Sequence, residues 1–192
     1  MITFGLPDDP ALLAAIGKVA IRHGQHDYVL RMTIKTLLDL TVRDALDATH
    51  RQGSGELREL IKRLVKQRLG EGEALVRLRA IMTRSARATQ RRNELLHGLW
   101  ASTLDGEHVI RHDDQTFQPI PTVIELEDLA TKFEDVWKEL NEARLDGFLK
   151  KALEAARARR PTPPEAQPAR PPETLGASPQ PRSLPPTSNL PR

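Results

Sequence analysis

The chain contains no cysteine. That excludes disulfides, thiolate metal sites and cysteine nucleophiles. Aromatic residues make up only 4% of it. A core therefore has to come from Leu, Ile, Val and Ala, and that composition favours helices over a β-sandwich. Long hydrophobic runs are also missing. The most apolar run, ALLAAIGKVAI, is interrupted by Lys18 and is too short to span a bilayer. The N-terminus reads without a secretory leader. The expectation is a cytoplasmic protein with no membrane contact.

What is present fits a soluble globular protein with a modest core. The 192 residues suffice for one domain plus extra sequence. The formal net charge is only +3, so the distribution of charge says more than its sum. Basic residues crowd the stretch from Arg51 to Arg92, against only Glu56, Glu59, Glu71 and Glu73. Acidic residues gather between Glu125 and Glu142. A basic middle can attract phosphates. It can equally be a solvated face paired with the acidic helix.

Apolar residues recur at helical spacing over most of the chain. Asp9 followed by Pro10 marks a helix start, and one long helix is expected over residues 10–39, with a bend at Gly24. A short helix over 42–48 follows. Ser54 is placed to cap a helix running to Leu69, which Gly70 and Gly72 end. The next helix is expected from Glu73 to His97. Its apolar line turns polar in the second half, and Arg92 stands where a core residue belongs. A buried cation needs a partner, which points to a neighbouring helix, a second subunit or a ligand. After Gly98 the period changes: WASTL, Asp105-Gly106 and EHVIRH read as a β-hairpin with a tight turn. DDQTFQPIP is a loop or a third short strand. Thr122 with Glu125 resembles a capping box, opening a last helix that fades near Arg160. Residues 161–192, rich in Pro, Ser, Thr, Ala and Arg, are expected to be a disordered tail. The fold class is thus mainly α: an antiparallel up-and-down helical bundle over residues 1–160, with a small β-hairpin before the last helix.

The stretch RRNELLHGLW, residues 91–100, carries the candidate chemistry. Asn93 and His97 are four apart and share a helix face. Arg92 is five from His97, about 140° round an ideal helix. A histidine titrating near neutrality can act as general acid or base. An arginine can neutralise a phosphorane-like transition state, and an asparagine can orient either of them. Together they suit metal-independent RNA cleavage by the substrate's own 2′-hydroxyl. Arg84, Arg87 and Arg91 form a basic face that can contact an RNA backbone or stand solvated.

The other candidates read less sharply. Asp27 can orient Arg92 or His97, or stand as a surface carboxylate one turn from Arg31. His23 and His26 are three apart, but lack a compelling third ligand and are read as surface histidines. His108 and His112, on a strand pattern, stand about 13 Å apart, too far to share an ion. No metal is assigned. Trp100 and Trp137 are expected to pack between the hairpin and the last helix.

This central stretch resembles the signature of the HEPN superfamily, in which Arg, often followed by a polar residue, precedes His by a few positions. More narrowly, it is similar to bacterial HEPN-like proteins carrying Arg-Asn-x-x-x-His-Gly-Leu-Trp, and IGKVAIRHGQHDYVL is similar to their opening helix, with Asp27 where glutamate is usual. The resemblance implies a helical bundle forming a homodimer, with two Arg–His motifs facing each other. It also implies either an endoribonuclease of toxin, defence or RNA-processing systems, or a non-catalytic module binding RNA, a nucleotide or a protein. By the same analogy a toxin-like member would have an antitoxin as partner. Arg92, Asn93 and His97 match the motif, and no cofactor is expected.

Overall fold

The computed structural model describes residues 3–5, 7–103, 105–112 and 116–159. The expected tail at 161–192 and the pair Asp113 and Asp114 lie outside the described residues. Six helices and a small antiparallel sheet make up the described chain: β1 (Thr3–Phe4), α1 (Pro10–Leu38), α2 (Val42–Thr49), α3 (Ser54–Leu69), α4 (Glu73–Leu96), β2 (Leu99–Ser102), β3 (His108–Arg111), β4 (Gln118–Pro119), α5 (Val123–Leu145) and α6 (Phe148–Ala158).

The helix starts follow the capping residues. Asp9 Oδ1 accepts from Ala11 N and Leu12 N at 2.9 and 3.2 Å, with Pro10 at the first position. Thr122 Oγ1 accepts from Glu125 N while Glu125 Oε2 accepts from Thr122 N at 2.7 Å, a full capping box. α3 departs from the expectation. Its cap is Gly53, whose N–H donates to Glu56 Oε2 at 2.9 Å, and Ser54 is the first helical residue with its hydroxyl used elsewhere.

α1, α3, α4 and α5 form the up-and-down bundle, with α1 packed most extensively on α5. α1 runs through Gly24 without a break. The last helix does break. Asp146 N and Gly147 N both donate to the Glu142 carbonyl, at 3.1 and 2.8 Å, and α6 starts afresh at Phe148. A Cβ at position 147 would come within 2.9 Å of that same carbonyl. Glycine is therefore what lets the chain turn there, and a single helix to Arg160 is not formed.

The hairpin is β2 and β3, with Trp100 opposite Ile110 and Ala101 opposite Val109. Gly106 takes φ 83°, the left-handed conformation glycine supplies at a turn. DDQTFQPIP contributes the third strand β4, and β1, which no sequence pattern announced, pairs with the outer edge of β2. No helix among the described residues is long and apolar enough to cross a membrane.

Two apolar clusters fill the bundle. One joins Leu30, Ile34, Leu37, Leu57, Ile61, Leu78, Ile81 and Leu140. The other joins Leu12, Val19, Ala88, Leu95, Leu126, Leu129 and Phe133, with Trp100 and Ile110 of the hairpin packed on it. Trp100 thus ties hairpin to α5 as expected, whereas Trp137 packs on the first cluster. Between the clusters along α1, α3 and α4 lie His23, His26, Ser54, Ser85 and Thr89, all buried. This polar layer is the bundle's least ordinary feature, because buried polar groups are costly unless bonded to one another.

Candidate functional site

The end of α4 is shaped by three contacts. His97 is its C-cap, and its backbone N–H donates to the Asn93 carbonyl at 2.9 Å. Trp100 Nε1 donates to the Leu95 carbonyl at 2.9 Å, satisfying a helix-end acceptor from the second residue of β2. Gly98 fits where no side chain can. A Cβ there would lie 2.4 Å from the Glu94 carbonyl oxygen and 2.6 Å from Ile110 Cδ1. The Gly-Leu-Trp part of the motif is therefore a tight junction between helix and strand, and it fixes where His97 stands.

The structure brings Arg92 and Asn93 together. Arg92 donates through a terminal guanidinium nitrogen to Asn93 Oδ1 at 3.0 Å. Arg92 is half-buried, and its Nε is buried with no hydrogen-bond partner among the described residues. His97 is exposed, and its side chain bonds to no described residue. No hydrogen bond or ion pair joins it to Arg92. Asp27 contacts neither Arg92 nor His97 by hydrogen bond or ion pair.

Asp27 belongs instead to the polar layer, and here two expectations are corrected. His23 and His26 are not surface histidines: their relative exposures are 8% and 0%. Asp27 is not a surface carboxylate: its side chain is 23% exposed, and Arg31, one turn on, bonds the carbonyls of Thr49 and Gln52. Ser54 Oγ donates to Asp27 Oδ1 at 2.7 Å. That spends the Ser54 proton, so His23 Nε2, 3.1 Å from Ser54 Oγ, must be the N–H that donates to it. His26 Nε2 lies 2.7 Å from Ser85 Oγ. Its Nδ1 lies 3.4 Å from Asp27 Oδ1, an electrostatic contact without the alignment of a formed hydrogen bond. Arg58 donates to Ser85 Oγ at 3.4 Å and to Thr89 Oγ1 at 3.1 Å. Phe133 covers the two imidazoles from α5, with ring centres at 5.3 and 5.4 Å.

The electrostatics follow from this packing. Burial lowers the His23 pKa below its ordinary value; Asp27 opposes the shift, and Arg92, His26 and Arg58 add to it. Burial works against the Asp27 carboxylate, yet the contacts from His26 and Ser54 hold its pKa below the usual range. Burial also lowers the Arg58 pKa, opposed by Asp27 and Glu59. Arg92 thus stands close enough to the polar layer to act on His23.

Arg84, Arg87 and Arg91 line a single groove between α4 and α5. Its other wall carries Glu125, Asp128 and Asp135. Arg84 pairs with Glu139, and Arg91 with Glu94 at 3.0 Å. Arg87 has no ion-pair partner among the described residues. It also borders a second groove, between α3 and α4, lined by Arg58, Lys62, Arg79 and Gln90 with Glu59 as the one carboxylate. His108 Nδ1 lies 3.0 Å from Ser102 Oγ, a cross-strand contact. No protein-family model, curated protein or solved structure matches the chain.

Proposed function

We propose that the end of α4 is the active site of a HEPN-like, metal-independent endoribonuclease. The observation that carries the reading is Arg92: a half-buried guanidinium, held by Asn93, whose Nε has no hydrogen-bond partner among the described residues. A buried cation left short of acceptors is poised for an anion. Five residues on, an exposed imidazole stands at the helix end. His97 removes the proton from an RNA 2′-hydroxyl, and the oxygen attacks the adjacent phosphate. Arg92 neutralises the charge that builds on the phosphoryl oxygens. The bond to the 5′-oxygen breaks, leaving a 2′,3′-cyclic phosphate and a 5′-hydroxyl. In a homodimer, the second copy's motif supplies the proton for that leaving oxygen.

The test uses two oligonucleotides of one sequence, one RNA and one with every 2′-hydroxyl replaced by 2′-O-methyl. Cleavage of the first alone is expected in EDTA. Equal cleavage of both overturns the mechanism.

A second reading has its own support. Gly98 and Trp100 have packing duties that account for much of the motif without catalysis. On that reading the protein is a dimeric, non-catalytic module in which Arg92 holds RNA, a nucleotide or a protein partner such as an antitoxin. Arg92→Ala then weakens binding or dimerisation, and no cleavage is seen with any substrate.

A further inference from the structure

We propose that His23, His26 and Asp27 form a binding site for a divalent transition-metal ion of the zinc class. One ligand atom from each of the three residues lies within 4.8 Å of the other two, and the ring nitrogens that face the Asp27 carboxylate are His23 Nε2 and His26 Nδ1. Asp27 Oδ1 is 3.4 Å from His26 Nδ1 and 3.9 Å from His23 Nε2. Two ligands of a tetrahedral ion, each about 2.1 Å from it, stand roughly 3.4 Å apart. The first pair already has that spacing, and the second needs only a small closure.

His26 supplies an independent sign. It is fully buried, its Nδ1 faces Asp27, and that nitrogen has no formed hydrogen bond among the described residues. An ion between the two groups satisfies both. The other ring nitrogen is held by Ser85 at 2.7 Å, the kind of outer contact that orients metal-binding histidines. Ser54 anchors the carboxylate in the same way. Two imidazoles and one carboxylate, with no thiolate, suit zinc and its neighbours; magnesium and calcium prefer oxygen throughout. Three protein ligands leave a fourth position for water, and the Asp27 side chain is 23% exposed.

Each imidazole needs one bare nitrogen. Proton transfer to the opposite ring nitrogen provides it, with Nε2–H of His26 then donating to Ser85, so no proton has to leave the protein. Arg58 and Arg92 act on the same cluster and oppose a cation, whereas the Asp27 charge favours one. The proposal stands apart from RNA cleavage, which uses Arg92, Asn93 and His97.

The test strips the full chain with EDTA, removes the chelator, and titrates Zn2+ by calorimetry and Co2+ by visible absorption. One ion per chain is expected, with the ligand-field bands of low-coordinate Co2+ and a rise in Tm on Zn2+ addition. His23→Gln and Asp27→Asn are each expected to weaken binding by about tenfold or more, while exposed His50→Gln leaves it unchanged. Circular dichroism checks that the variants fold. His23 lies at the cluster's edge, so its titration decides if Asp27→Asn unfolds. No binding by wild type, or binding that survives His23→Gln, overturns the proposal.

Discussion

Gly98→Ala tests whether the helix–strand junction, and with it the position of His97, depends on the absence of a side chain. The added Cβ meets the Glu94 carbonyl oxygen at 2.4 Å and Ile110 Cγ1 and Cδ1 at 2.7 and 2.6 Å. Gly98 does not have a positive φ, so the penalty is steric and not conformational. Overpacking of this kind costs about 1–3 kcal/mol. The presence of a backbone atom among the contacts, which cannot swing aside, puts the expected value at about 2 kcal/mol. For a domain of this size that lowers Tm by about 4–8 °C. Thermal unfolding followed by circular dichroism measures it. Ile110→Ala in the Gly98→Ala background removes one of the two clashes and leaves the carbonyl, so it recovers only part of the loss relative to Ile110→Ala alone. A Gly98→Ala protein melting within about 1 °C of wild type refutes the close approach, and with it the account of why the motif continues as Gly-Leu-Trp.

Further outcomes follow from the polar layer and the grooves. Phe133 is fully buried and covers both imidazoles; Phe133→Ala should cost about 3–5 kcal/mol in urea unfolding, and a cost near that of a surface substitution contradicts the packing. In EDTA, the lowered His23 pKa contributes stability that is complete above about pH 6.5 and is lost as pH falls through the folded value, with Asp27 adding a second loss below about pH 3.9. Denaturant midpoints from about pH 7 down to about pH 4, a window above the Asp27 loss, should therefore fall with pH, and His23→Gln should flatten that fall; identical profiles would count against the buried placement. If RNA is the ligand, Arg87→Ala should reduce the salt slope of binding by about 1. Arg84→Ala should do less, because Glu139 already neutralises Arg84. Equal effects would show that the ion pair does not hold in solution.

The bundle was legible because its signals are local. Asp9-Pro10, the Thr122–Glu125 box and the 3.6-residue period of Leu and Ile each act within one element. The missing pieces were those in which one element answers to another. The break at Gly147 needs a bond back to Glu142, and β1 exists only because the β2 edge is there to pair with. The polar layer was missed for the same reason. Yet its signal was present: His23 and His26 continue the line of Leu12, Ala15 and Val19 toward Leu30 and Ile34, at core spacing, as Ser85 and Arg92 do on α4. Histidines on an apolar line are buried histidines, and burial forces partners on them. The groups that supply those partners, Ser54 and Ser85, are 31 and 59 residues away from the histidines they bond, beyond the reach of any spacing rule.

The chemistry of the RNA ends tells directly whether His97 cleaves RNA. Wild type and His97→Ala, both checked for folding, are incubated with mixed cellular RNA in EDTA, and the 3′ ends of the products are analysed. Wild type should leave 2′,3′-cyclic phosphate ends that vanish in the variant. Cleavage that persists unchanged in His97→Ala, or no cleavage by folded, dimeric wild type on any RNA tried, contradicts that expectation.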